Sequence, residues 1–185
     1  MDLLGHGKFE LGNSRYGIVD VKGSILAKNG FTSCDFKAIG RIGISGGMVV
    51  DKTVNLTGKV QADKVEAAIL RVVGQITSAF ITAKEIFLSI RGDEASEVKE
   101  IVGERVVIAN DPEKARQSHI QDLCHIGQIS ATSVELTDIK VDNIICDNLT
   151  LHGKCVVHKA TCKTLASDDS SVVDEKVQKA DATSD

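Results

Sequence analysis

The chain reads as an all-β protein, a right-handed parallel β-helix of short strands, and three observations predict that class. The first is a phrase, apolar-x-Gly-x-apolar, that returns as Val21-Lys-Gly23-Ser-Ile25, Ile39-Gly40-Arg-Ile42, Leu56-Thr-Gly58-Lys-Val60 and Val73-Gly74-Gln-Ile76, with a looser copy at Ile90-Arg-Gly92. The five glycines are spaced almost evenly. A globular core imposes no such regularity, whereas a solenoid repeats its pattern once per coil. The second observation is compositional: 20 Val and 18 Ile stand against six aromatics, no Trp and one Pro. Branched aliphatics suit a pleated surface, and scarce proline argues against a turn-rich sandwich. The third is period-2 alternation over three to five residues, as in Ile18-Val19-Asp-Val21, Ile42-Gly-Ile44, Val54-Asn-Leu56 and Ile86-Phe87-Leu88-Ser-Ile90, the pattern of half-buried strands.

With 185 residues and 42% hydrophobic content, one domain can bury a sizeable core. Residues 1–16 are polar, glycine-containing and aperiodic, and are expected to be a flexible leader. The β-helix is expected to span 17–165, each coil of about 17 residues stacking on the next at roughly 4.8 Å. Around 91–124 the rhythm weakens. Val98-Lys-Glu-Ile101-Val-Gly103-Glu-Arg-Val106-Val-Ile108 restores alternation before Asn110-Asp-Pro112-Glu-Lys-Ala-Arg-Gln breaks it, which predicts a loop at about 109–124 inserted into one continuous helix. A second periodic block runs from Ile120 to Leu165 through Ile126-Gly127-Gln-Ile129, Val134-Glu-Leu136, Ile139-Lys-Val141, Ile144-Ile145 and Leu149-Thr-Leu151. Residues 166–185 are rich in Ser, Asp and Lys and are expected to be a disordered acidic tail.

A left-handed β-helix also has coils of about this length, but it needs an apolar residue at every sixth position. Stepping by six from Val19 gives Ile25, Phe31, Lys37, Gly43, Val49 and Asn55, so the register is lost by the third step and the right-handed form is favoured.

Charge narrows the function classes. Residues 167–185 hold Asp168, Asp169, Asp174, Glu175, Asp181 and Asp185 against Lys176 and Lys179, which is the whole excess of −4. The rest of the chain balances 20 acids with 20 bases, so no basic face for nucleic acid is implied, and the scarcity of aromatics argues against base stacking. Five cysteines, at 34, 124, 146, 155 and 162, form an odd set in a chain without a recognisable signal peptide. Free thiols in a reducing cytoplasm are the expectation. No apolar run is long enough to predict a membrane-spanning helix.

Candidate chemistry is sparse. Gly40-Arg-Ile-Gly43-Ile-Ser-Gly46-Gly47 is glycine-dense but lacks a Gly-Lys-Ser/Thr ending and a following helix, so it reads as β-helix corners rather than a phosphate cradle. Cys146 and the set Cys155-x-x-His158-x-x-x-Cys162 have zinc-like spacing, yet residues along a strand alternate faces and buried cysteines are common; structural thiols are the preferred reading. Cys124 lies between His119 and His125, but adjacent residues of an extended segment point to opposite faces, so no thiolate and base pair is expected. No catalytic residue, metal or cofactor is assigned, and the chain is not expected to be an enzyme.

The Val-x-Gly-x-Ile phrases flanked by Ile25-Leu-Ala-Lys28 and Ile81-Thr-Ala-Lys84, with Val98-Lys-Glu-Ile-Val-Gly-Glu-Arg-Val-Val-Ile108, resemble the bactofilins, polymer-forming bacterial cytoskeletal proteins. Val134-Glu-Leu-Thr-Asp-Ile-Lys-Val141 and Leu149-Thr-Leu-His-Gly-Lys-Cys155 are similar to the C-terminal half of a branch of that family. The likeness covers about residues 17–165; the 109–124 interruption and the five cysteines depart from the compact bactofilin pattern. It implies a cytoplasmic scaffold that self-assembles into filaments or oligomers, with peripheral membrane contact through the N-terminal Met1-Asp-Leu-Leu-Gly-His-Gly-Lys-Phe9. The end coils of a β-helix carry unpaired backbone groups, so end-to-end docking is expected. Ile18, Val19 and Val21 are the expected polymer contacts at one end, and Leu149, Leu151, Val156, Val157 and Leu165 at the other. The alternative is an adaptor that binds a partner along its flank, comparable to the C-terminal domain of a septum-site inhibitor. A trimeric enzyme on a left-handed β-helix is the weakest reading, because the six-residue register is missing.

Overall fold

In a computed structural model, residues 1–92, 94–111 and 124–180 are described, and among them every regular element is a β-strand. The strands are β1 (Leu3–Leu11), β2 (Arg15–Ala27), β3 (Phe31–Ile44), β4 (Met48–Ile90), β5 (Ser96–Asn110), β6 (Cys124–Ser130), β7 (Ser133–Thr137), β8 (Lys140–Ile145), β9 (Asn148–His152), β10 (Val156–Cys162), β11 (Thr164–Ser167) and β12 (Val172–Gln178). All the strand pairs are parallel and join coils that follow one another along the chain. The result is a β-solenoid of about 10 turns, the all-β class that the glycine step predicts. No helix among the described residues is long and apolar enough to cross a membrane.

One column of inward side chains threads the molecule. Leu3 pairs with Val19, Val19 with Phe36 and Phe36 with Val54; Ile86 pairs with Val106, Val106 with Val134, Val134 with Leu149 and Leu149 with Leu165. Leu70 fills the coil between Val54 and Ile86 and is fully buried. From Val19 to Leu149 the column is at most 1% exposed. Branched and unbranched aliphatics stacked at one coil spacing give this chain a core that is continuous along its axis and only about one side chain deep.

The corners explain why the strands are longer than expected. β2, β3 and β5 run for 13, 14 and 15 residues and β4 for 43, so the chain bends without interrupting its ladder. Gly7, Gly23 and Gly40 are successive register partners, as are Gly40 and Gly58. Gly7, Gly23, Gly40, Gly58 and Gly74 all have φ between 123° and 135°, where a side chain is strained. A Cβ at Gly23, Gly40, Gly58 or Gly74 would also lie 2.0–2.2 Å from the carbonyl oxygen of the glycine one coil before.

Step length varies where the sequence rhythm varies. A bulge between Ser33 and Phe36 lengthens the coil, so that Ser33 pairs with Val50 but Phe36 with Val54. The coil that brings Thr77 onto Glu97 is longer still, which accounts for the weakening near residue 92. Gly92 leaves the column: a Cβ there would meet the side chain of Gln75, not Gly74. The expected 109–124 loop falls mostly outside the described residues; of its span, Ala109 and Asn110 still belong to β5 and Cys124 opens β6.

Both expected tails correct the reading. The leader contains β1, in register with β2 from Leu3–Val19 to Leu11–Ala27, because its Gly7 stacks on Gly23 and Leu3, Phe9 and Leu11 face the core. In the acidic tail, β12 stacks on β10 from Val156–Val172 to Cys162–Gln178. Its charge does not keep it unfolded, since the preceding coil supplies partners: Lys159 pairs with Glu175 at 2.7 Å and His158 with Asp174 at 2.7 Å. Residues 181–185 lie outside the described set.

Candidate functional site

A solenoid has two places where the ladder stops, and these are its most distinctive surfaces. At the N-terminal end β1 pairs only with β2 among the described strands. Gly17 donates to the Met1 carbonyl at 2.9 Å and the Ile18 N–H to Asp2 Oδ1 at 2.9 Å, which pins the first coil. Its other edge faces outward, with Leu3 and Phe9 half-buried against the core beneath. Met1 and Leu4 stand 80% and 68% exposed. At Gly7 a Cβ would meet nothing within 4 Å; the place that a carbonyl occupies at every later glycine of the column is open here.

At the other end the last coil is formed by β11 and β12, whose described partners are β9 and β10 alone. Leu165 and Val173 lie half-buried on the core, whereas Val177 stacks on the half-buried Thr161 and the positions over the buried Ala160 and Cys162 hold Lys176 and Gln178. The coil is fastened by Val172 N–H to Cys155 O at 2.8 Å, Lys179 N–H to Cys162 O at 3.1 Å, and Lys179 Nζ to Asp147 Oδ1 at 2.8 Å. That last bond, before any other cause, holds the Asp147 carboxyl below its ordinary value.

These positions shift the expected contact residues. Val19 and Val21 are covered by Leu3 and Gly5 of β1 and are 0% and 1% exposed, so they lie one coil inside the N-terminal face. Ile18 is 48% exposed but points from the flank. Leu149, Leu151 and Val157 are core residues, and Val156 is half-buried beneath Val172. Of the expected set, Leu165 alone sits on an end coil. The recurrence of Val156-Val157 as Val172-Val173, one coil later, is the signal that places the end one coil further on.

The thiol and imidazole candidates separate onto opposite faces. Cys124, Cys146, Cys155 and Cys162 are at most 1% exposed, while His158 points outward between Asp174 at 2.7 Å and Asp142 at 3.9 Å. Burial pushes the Cys124 and Cys146 thiols up to about 12 and raises Cys155 as well, so these sulfurs stay protonated and poorly nucleophilic. His125 bonds Asp142 at 2.9 Å, away from Cys124. His119 lies outside the described residues. Among the described residues no group of three or more His, Cys, Asp and Glu side chains is placed to hold a metal ion.

The glycine-dense segment makes corners. Gly46 donates to Asp63 Oδ2 at 2.9 Å, and a Cβ at Gly30 would lie 2.5 Å from the Gly47 carbonyl oxygen. Comparison with protein-family models, with curated proteins and with solved structures finds no match for the chain.

Proposed function

We propose that this chain is a structural scaffold, a bactofilin-like cytoskeletal protein that assembles end to end through its terminal coils in the cytoplasm. The observation that supports it most is the outer edge of the N-terminal coil, which no described strand pairs. β1 presents a nine-residue edge without a described partner, apolar residues Leu3 and Phe9 at the rim, and an open space over Gly7 of the size that a stacked backbone fills elsewhere in the column. Natural sheets blunt such edges with bulges, prolines, charged side chains or covering segments; among the described residues this one has no bulge, proline or cover, and its charges are Lys8 and Glu10. The C-terminal coil offers Leu165 and Val173 in the same way.

Docking two such ends continues the hydrogen-bond ladder and removes the rim hydrophobes from water, at about 25 cal/mol per Å² of apolar surface. Head-to-head and tail-to-tail contacts, each related by a two-fold axis, would give a nonpolar filament. Met1 and Leu4 are too few to hold a membrane strongly, so membrane association is a secondary part of the proposal. No catalytic role is proposed.

Electron microscopy of the purified protein tests the reading, with Phe9→Glu and Val173→Lys as end variants. Both positions are partly buried at the rim, so the body of the solenoid should fold without them. Filaments or discrete end-to-end oligomers are expected from the native chain and shorter species from each variant. Particles of single-chain size at high concentration would overturn the proposal.

A further inference from the structure

We propose that the flank around Phe87 is a docking groove for an extended acidic segment of a partner protein, one carrying an aliphatic residue between two carboxylates. This does not rest on self-assembly, because the groove lies in the middle of the molecule.

The groove has a volume of about 240 Å³ and is lined by Val73, Phe87, Leu88, Val107 and Ala109. Val107 and Ala109 of β5 are the register partners of Phe87 and Ser89 of β4, so two outward columns frame it. Arg71 and Arg105 stand over the ring, their guanidinium carbons 5.2 Å and 5.6 Å from its centroid. Arg71 lies one coil before Phe87, by the same step that stacks Gly74 on Gly58. Arg105 belongs to the following coil. The two cations therefore bracket one aromatic ring along the axis.

Some cations on this surface sit beside carboxylates, as in Arg15–Asp51, Lys37–Asp20 and Lys159–Glu175. Arg71 and Arg105 pair with no described carboxylate. Glu85 is even the register partner of Arg105, yet the guanidinium turns to Phe87. Shielding of a ring by one arginine stem is common; here two guanidinium groups from different coils converge on the half-buried Phe87. An arginine over an aromatic face keeps its fork of N–H donors free at the edge, where a carboxylate is bound by two parallel bonds.

Ring distances of 5.2 Å and 5.6 Å put the guanidinium carbons at most about 11 Å apart. In an extended segment, residues i, i+2 and i+4 share one face and span roughly 13 Å. Acids at i and i+4 then reach the outer sides of the two arginines, and the residue at i+2 drops into the apolar groove. Main-chain pairing to this flank is not needed; the recognition is by side chains.

The test is fluorescence polarisation of a labelled peptide in which Glu, Val and Glu alternate with Ser, against the native protein in physiological salt. Saturable binding is expected, weakened by about tenfold or more in Arg71→Glu, in Arg105→Glu and in Phe87→Ala, and absent for a peptide with Lys in place of Glu. Phe87→Leu, which keeps apolar bulk but removes the ring, should weaken binding less than Phe87→Ala and guards against a folding defect; circular dichroism checks each variant. No saturable binding would overturn the proposal. So would binding that the arginine variants lose but Phe87→Ala retains, which marks general charge attraction, or equal competition by single-stranded DNA, which would assign the groove to phosphate.

Discussion

One corner of the solenoid changes its chemistry between the two halves, while a second device, a carboxylate accepting from a glycine N–H at positive φ, recurs in both at Asp63–Gly46 and Asp168–Gly153. From β1 through β4 the corner is a column of glycines at positive φ, each packed on the carbonyl of the one before. From β6 onward that glycine column is absent among the described residues, and side chains take its place: Asp138 Oδ1 accepts from Lys154 N–H at 2.8 Å and Asn148 Oδ1 from the Thr164 hydroxyl at 2.8 Å. Some coils shorten as well, as the pairings of Ser133 with Asn148 and of Ile126 with Val141 show. A backbone corner lets strands run through the bend, as β4 does for 43 residues, whereas a side-chain corner breaks them into pieces of four to seven. The same core can thus be wrapped by conformational freedom or by capping bonds.

The largest effect should come from the glycine column. Gly40→Ala places a methyl 2.0 Å from the Gly23 carbonyl oxygen at φ 132°, and a loss of about 3 kcal/mol or more in urea unfolding is expected. Gly43→Ala is the internal control. Its Cβ would meet Leu26 Cδ1 at 3.6 Å, an ordinary contact with no positive φ, so little change or a gain of under about 1 kcal/mol should follow. Equal losses at the two sites would refute the backbone-corner account.

In the second half Asp138 has φ 56° and caps Lys154. Asp138→Ala loses the cap and leaves an alanine in the left-handed region, for about 2 kcal/mol. Asp138→Gly loses the cap alone and should cost about half as much. A glycine variant as unstable as the alanine variant would show that backbone strain plays no part at this corner.

Legibility in the sequence follows the same division. The glycine step exposed the fold because it is a requirement on residue type, repeated once per coil. Side-chain corners leave no such mark, since Asp138, Asp147 and Asn148 are also ordinary surface residues. The end coils were hidden by composition. Leu3, Phe9 and Leu11 lack the branched aliphatics of other strands, and the acids of β12 read as a tail, although Gly7 and Val172-Val173 both keep the coil step to their partners. The expected end contacts Val19, Val21, Leu149 and Leu151 therefore lie one coil inside the outermost described coils. The Phe87 groove had no sequence signal, because its arginines are brought to the ring by register rather than by spacing along one motif.

Thiol chemistry separates the halves in another way. Cys34 is half-exposed beside Asp51, while the four cysteines of the second half are buried. Native-state alkylation followed by mass spectrometry should label Cys34 alone, with Cys124, Cys146, Cys155 and Cys162 reacting only after unfolding. Rapid native labelling of Cys146 or Cys162 would mean that the C-terminal coils open readily.

The smallest effect concerns the last coil and acid. The Asp147 carboxyl is depressed in the folded chain by Lys179, so its ionised form favours folding. That contribution is present above the ordinary carboxylate pKa and is lost as pH falls through the depressed folded value. Hydrogen exchange at the Lys179 amide, bonded to Cys162 O, should accelerate on acidification beyond the intrinsic change. Asp147→Asn should abolish that extra acceleration.

The proposal that these coils are open building ends is tested most directly by sedimentation velocity over a wide concentration range, comparing the native chain with Phe9→Glu and Val173→Lys. Concentration-dependent large species are expected for the native chain, arrest at a dimer when one end is charged, and a single-chain species when both are. A native chain that sediments as one compact species at every concentration would contradict it.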